Sequence, residues 1–228
     1  MQENQAELHT PGYRRSIAAI CLAPIYYWVL PVALRLFGAD SDTANYVFFT
    51  IGILWTCVLF LSFLRSSFPL LLAKPPRLMR ALAAGAGIHY GAALAVSLAL
   101  VLSGIHPQSA NNETIRALIR SQPALMFLFS VVAVPITEEC LFRGALFGTL
   151  RKKNRAAAYL VTMTAFALVH AAPGLVAGRW EDAYTALLYF APSAALCFVY
   201  EYVGTIWASV LLHMLINLVS FANALLMR

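Results

Sequence analysis

Six residues in this chain have types and spacings that could do chemistry: Glu138 beside Glu139, Arg143 four places on, His170, His213, and Asn217 four after His213. All of them interrupt runs that otherwise read as lipid-soluble helix. An ionisable side chain in mid-bilayer is costly enough that it faces the bundle interior and finds a partner, so its default reading is functional. Residues at i and i+4 share one helix face. That spacing pairs Glu139 with Arg143 and aims His213 and Asn217 at a common spot. Glu138, rotated about 100° from Glu139 on a helix, needs a different partner. A carboxylate with two imidazoles admits three chemistries. It can activate a water for amide hydrolysis, given donors where negative charge develops. It can relay protons. It can also ligate zinc with an open fourth position.

The elements that must position these groups follow from composition. The chain has 228 residues, 61% hydrophobic and 11% charged, a balance that excludes an ordinary soluble domain and reads as an integral membrane protein. Of its ten acids, all but Glu138 and Glu139 fall in polar segments or at the ends of apolar ones. The net charge of +6 is spread in short basic clusters between apolar runs; that is a topology signal, not a nucleic-acid footprint. Apolar runs at about 16–37, 46–64, 81–103, 124–150, 156–177, 183–200 and 205–227 each approach the ~20 residues a bilayer requires. The expected fold is therefore an all-α polytopic transmembrane bundle of about seven spans, or eight if the long fourth run is broken. Pro24, Pro31, Pro135, Pro173 and Pro192 are candidate kinks. The first run follows Arg14 and Arg15 but is long for a signal peptide, so it reads as a retained span.

A cytoplasmic N-terminus puts ten basic residues inside and five outside, namely Arg35, Arg116, Arg120, Arg179 and Arg228, and the positive-inside rule favours that orientation. The stretch 104–123 then becomes an external loop with a short surface helix. Depth tests the site independently. At ~1.5 Å per residue, Glu138 lies roughly 20 Å from the inner cluster at Arg151, His170 roughly 22 Å from Arg155, and His213 roughly 16 Å from the turn near Tyr202. Three helices thus carry a carboxylate and two imidazoles to a common depth.

The patterns E-E-x-x-x-R at Glu138–Arg143, F-x-x-x-H at Phe166–His170 and H-x-x-x-N at His213–Asn217 resemble, in that order, the three motifs of the CAAX-protease and bacteriocin-processing (CPBP or Abi) family. The resemblance covers residues 124 to 226, which divides the chain into 1–123, with no matched motif, and a catalytic core over 124–228. It implies an intramembrane endopeptidase of the glutamate type. Glu138 would be the general base that, with His170, polarises a water. His213 and Asn217 would hold the oxyanion, and Glu139 with Arg143 would be a supporting ion pair. No cofactor is implied. The expected partners are a membrane-associated or lipid-modified protein or peptide substrate and the bilayer, with no nucleic acid. The family name suggests prenylated C-termini, and the expected location is the inner membrane of a bacterium.

Competing readings remain open at this stage: a proton-coupled transporter or channel using the same Glu and His residues, a zinc-dependent membrane protease, and a catalytically silent scaffold or immunity protein. There is no H-E-x-x-H helix to favour zinc. Phe166 and His89 read as packing residues. Gly85, Gly87 and Gly91 permit close helix approach within the bundle or with a second copy, which leaves monomer and homodimer both open. Cys21, Cys57, Cys140 and Cys197 read as free buried thiols, and Glu201 as an ordinary carboxylate at a span's inner end.

Overall fold

The chain is all-helical, and this is dictated by the solvent its residues are suited to: in lipid each backbone N–H and C=O must be satisfied within its own segment. The structure, a computed structural model, describes residues 7–106 and 109–226; Arg228 of the charge count lies outside them. Among the described residues, seven helices are long and apolar enough to cross a membrane: α1 (Tyr13–Leu36), α2 (Ser41–Leu71), α3 (Pro75–Leu102), α5 (Pro123–Arg151), α6 (Arg155–Val176), α7 (Asp182–Val203) and α8 (Ile206–Leu226). A short amphipathic helix, α4 (Ala110–Ser121), lies between α3 and α5. Side-chain caps begin several of them. The Asp40 carboxylate accepts from the Thr43 N–H at 2.8 Å before α2, and the Asn154 side chain accepts from the Ala157 N–H at 2.9 Å before α6, satisfying donors a helix start leaves free.

The fourth run is one helix, neither split nor doubled. It stays continuous by switching to π geometry over Phe127–Ala133 and again over Cys140–Phe147, bulges that recur at functional sites. Pro135 supplies a cause for the first: it has no N–H to give to the preceding turn. α5 is also the most enclosed span, whereas α1 and α3 leave most of their apolar residues outside, where hydrocarbon would cover them.

A core cluster joins α1, α2 and α5 to α8, and α3 packs through a second, with Leu78 and Ala81 beside Leu196 and Leu212. Phe60 and Phe63 of α2 pack with Cys140, Phe142 and Phe147 of α5, Phe166 of α6, and Tyr200 and Val210 of α7 and α8. At the end where α5, α6 and α7 meet, Glu201 is more than an ordinary interfacial carboxylate. It accepts from Arg155 at 2.9 Å and from the Tyr159 hydroxyl at 2.8 Å, and it pairs with Arg151. That cluster fixes the relative height of three helices carrying site residues. Gly204 adopts φ 91°, the left-handed conformation glycine tolerates best, and so turns α7 tightly into α8. The expectation of four buried thiols is half corrected: all four cysteines are free, but Cys21 and Cys57 are exposed and only Cys140 and Cys197 are buried.

Gly85 faces into the bundle, while Gly87 and Gly91 face open space. A Cβ at Gly85 would sit 2.5 Å from Val199 Cγ2 and 2.6 Å from Leu212 Cδ2. Gly85→Ala is therefore expected to destabilise the bundle by about 1–3 kcal/mol through overpacking. Thermal unfolding in detergent checks this, at about 2–4 °C per kcal/mol for a chain of this size; an unchanged midpoint would mean the α3–α7–α8 contact relaxes freely.

Candidate active site

Five of the residues singled out from sequence come together from three helices around Glu138 and Glu139, and Asn217 lies one helical turn beyond His213. α5 brings Glu138 and Glu139, 8% and 0% exposed, and Arg143, 0% exposed. α6 brings His170, and α8 brings His213 and Asn217.

Glu139 is the organising carboxylate. Its Oε1 accepts from Arg143 Nη1 at 2.9 Å and meets His213 Nδ1 at 2.8 Å. A carboxylate can only accept, so that ring nitrogen carries a proton, and His213 Nε2 is left pointing elsewhere. It points at Glu138, 3.8 Å from Oε2. His170 is fixed by similar logic: its Nδ1 lies 2.8 Å from the Phe166 carbonyl oxygen, also an acceptor only, so Nδ1 is the donor and Nε2 carries the lone pair of the neutral ring. That Nε2 lies 3.9 Å from Glu138 Oε1. Glu138 thus faces one imidazole with each oxygen, too far for direct hydrogen bonds but near enough for a shared water. Its Oε2 is enclosed without a hydrogen-bond partner, a state that buried acceptors rarely keep without a functional reason.

Arg143 holds more than the predicted ion pair. Its Nη2 donates to the Ser193 hydroxyl at 3.0 Å and to the Ser193 carbonyl at 3.3 Å, and its guanidinium lies 4.5 Å from the Phe166 ring centroid. Phe166 therefore does more than fill space. Its ring carries the guanidinium, a favourable cation–π placement when desolvated. Its carbonyl sets the His170 tautomer, and its ring lies 4.3 Å from that imidazole.

Asn217 is tied to backbone: its Nδ2 donates to the Ser130 carbonyl at 2.8 Å. Around that point α5 bonds five residues back, as Val134 N–H does to Phe129 O. By the same register the next donor, residue 135, should serve Ser130, but residue 135 is proline. The Asn217 amide serves the carbonyl that Pro135 leaves open, and its second amide proton remains for a ligand.

Sequence reasoning missed several contributors. Ser193 has no charge to mark it in an apolar span. Tyr26 and Tyr27 of α1 come within electrostatic reach of Glu138, and Tyr189 of α7 stacks on His170, ring centroids 4.4 Å apart. An aromatic in a membrane helix looks like any other apolar residue. His89 lies within electrostatic reach of His213, with its Nδ1 enclosed and unpartnered. Among the described residues no cluster of three or more His, Cys, Asp or Glu is arranged to hold a metal ion.

Residues 120–219 match the family model described as "Type II CAAX prenyl endopeptidase Rce1-like". A protein of Bacillus subtilis (strain 168) named "Putative membrane peptidase YdiL" is 31% identical over 125 residues, 54% of this chain and 47% of that one. The chain thus spans about half the length of the curated relative it matches. No solved structure matches. The stretch matched by the family model runs from the end of α4 to beyond Asn217, and over it the chain is similar to Rce1-like CAAX prenyl endopeptidases and to this membrane peptidase.

Proposed function

We propose that this chain is an intramembrane endopeptidase of the glutamate type, hydrolysing a peptide bond in a membrane-associated or lipid-modified protein. The observation that carries this reading is Glu138 between two imidazole Nε2 atoms at 3.9 and 3.8 Å. A water roughly 2.8 Å from the carboxylate and from one ring closes that triangle with ordinary hydrogen bonds.

The Nε2 lone pair of His170 accepts a hydrogen bond from the water and orients it; the carboxylate of Glu138 takes the water's other proton as the oxygen, keeping its hydrogen bonded to His170, attacks the carbonyl carbon. Negative charge then develops on the carbonyl oxygen. Donors for it are the free amide proton of Asn217 and, where His213 has taken up a proton from solvent before the substrate binds, the Nε2–H of its imidazolium. Glu139 beside Nδ1 stabilises that cation. The low-dielectric pocket strengthens each of these interactions. Collapse of the intermediate breaks the C–N bond, and Glu138 returns its proton to the leaving amine.

The family description names CAAX prenyl endopeptidases, so a C-terminally lipidated peptide is the first substrate class to assay. The basic-residue bias supports a cytoplasmic N-terminus, and the likeness to a Bacillus subtilis protein supports a bacterial cell membrane as its place.

Asn217→Ala should lower the cleavage rate by roughly 10²–10³ with little change in substrate binding, the loss typical of one oxyanion donor. Asn217→Asp separates mechanisms. Without a metal, a carboxylate at this position repels the developing charge and donates only when protonated, so residual activity should rise as pH falls. With zinc, the carboxylate would be the better ligand. Assaying the purified Asn217→Asp protein across pH, with and without a chelator, decides: chelator-sensitive activity restored by zinc replaces the proposed base mechanism with a metal one. A wild-type protein that cleaves nothing but moves protons across vesicles would favour a transporter instead.

A further inference from the structure

The segment read from sequence as a surface loop with a short helix is tied to the helices around it by two unlike attachments. The C-terminal half of α4 is anchored by burial: Leu118 and Ile119 are 2% and 3% exposed and share an apolar cluster with Phe49, Met126, Phe129 and Phe221. Its N-terminal half is held mainly by polar contacts, with Ile115 packed against the same apolar cluster. The Ala110 N–H donates to Asp182 Oδ2 at 3.1 Å, Glu113 pairs with Arg179 at 2.9 Å, and Asn112 Oδ1 accepts from the Tyr189 hydroxyl at 2.9 Å. Arg179 also reaches Asp182 at 3.5 Å, and Glu113's carboxyl is held below the usual carboxylate range by its hydrogen bond from Arg179. The Glu113–Arg179 and Asn112–Tyr189 contacts are exposed and contribute little net free energy, and Asp182, although buried, keeps Arg179 as a partner if the Ala110 N–H leaves it, whereas burying large aliphatic side chains contributes far more. The two ends of α4 therefore differ in how easily they detach.

Tyr189 connects this helix to the pocket. Its hydroxyl is bound to the first turn of α4 while its ring stacks on His170, planes 30° apart. Phe166 is a second ring neighbour of His170, centroids 4.3 Å apart, and lies 6.5 Å from Tyr189. The first turn of α4 is thus one tyrosine side chain away from the imidazole that faces Glu138.

We propose that Tyr189 is a positioning residue that latches the first turn of α4 over the catalytic pocket and, while latched, holds the His170 ring in place, so that α4 works as a gate hinged at its apolar end. When the Asn112–Tyr189 bond opens, the N-terminal turn lifts, the pocket admits an extended peptide segment, and Tyr189 is free to leave the imidazole. Closure restores the ring to its place and excludes water, as lids over active sites do. The catalytic consequence rests on the protease reading; the gate does not.

The test reads the gate without relying on activity. In a protein carrying Cys21→Ser and Cys57→Ser, Glu138→Cys places a thiol in the pocket, and its reaction with a charged, water-soluble methanethiosulfonate reports access. Adding Asn112→Ala or Tyr189→Phe, the latter keeping the ring and removing the latch, should each accelerate labelling roughly five- to tenfold, the population shift expected from losing one hydrogen bond. Combining the two should add little, because they break the same bond. Equal labelling rates in all four proteins would overturn the gate. With Glu138 intact, Tyr189→Ala should lower kcat by at least about tenfold, the loss expected when a catalytic group is misplaced, and Tyr189→Phe should recover most of it at a matched melting temperature. A Tyr189→Phe protein as impaired as Tyr189→Ala would overturn the positioning role. If the wild type cleaves no peptide, the labelling series still decides the gate while the protease reading fails alone.

Discussion

Glu138→Gln is expected to lower peptide-bond cleavage by roughly 10³-fold or more, near the upper range for removing a positioned base, while the protein inserts and melts like the wild type. The amide keeps the size of the carboxylate but cannot take a proton from water. Folding should be spared because Glu138 makes no direct hydrogen bond to either imidazole, at 3.9 and 3.8 Å, and its Oε2 has no partner to lose. Cleavage of a lipidated peptide by purified wild-type and Glu138→Gln protein, with thermal unfolding of both in the same detergent, measures the effect. Near-wild-type cleavage would remove Glu138 from the role of base.

The second large effect concerns stability. Glu139 and Arg143 are both fully buried and paired at 2.9 Å, so removing one strands the other in a desolvated site, a loss of roughly 3–5 kcal/mol. Arg143→Ala leaves Glu139 with His213 and the Ser209 hydroxyl but no charged partner of fixed sign, and leaves Ser193 without its guanidinium partner. Glu139→Ala is worse in kind, since it strands the cation and also removes the acceptor of His213 Nδ1. Replacing the pair together, Glu139→Leu with Arg143→Met, leaves no stranded charge and should melt above either alanine variant, as apolar substitution of buried ion pairs often does. Activity should not follow stability: without Glu139 nothing fixes the His213 tautomer or stabilises its imidazolium, so the double variant should fold yet cleave poorly. A double variant that melts below both single variants would mean that the two residues are not mutual partners, and one that folds and cleaves normally would remove Glu139 from any part in orienting His213.

The sequence by itself determined the class of solvent, the number of spans and the height of the site. These depend on local quantities, namely hydropathy over ~20 residues and a fixed rise per residue, so counting suffices. It also determined the Glu139–Arg143 pair, because four-residue spacing lies within one helix. Which residue on another helix each group meets depends on how helices rotate and slide against one another, and no local pattern records that. Only the tertiary structure therefore decided that Glu139 orients His213 as well as pairing with Arg143, that Ser193 and the Phe166 ring complete the guanidinium's surroundings, and that Glu201 draws three helix ends together. Pro135 and Asn217 show the division most directly. The proline's missing N–H is legible in the sequence as a helix defect, yet the asparagine that serves the orphaned Ser130 carbonyl lies 87 residues further along the chain, on a helix brought alongside only by packing.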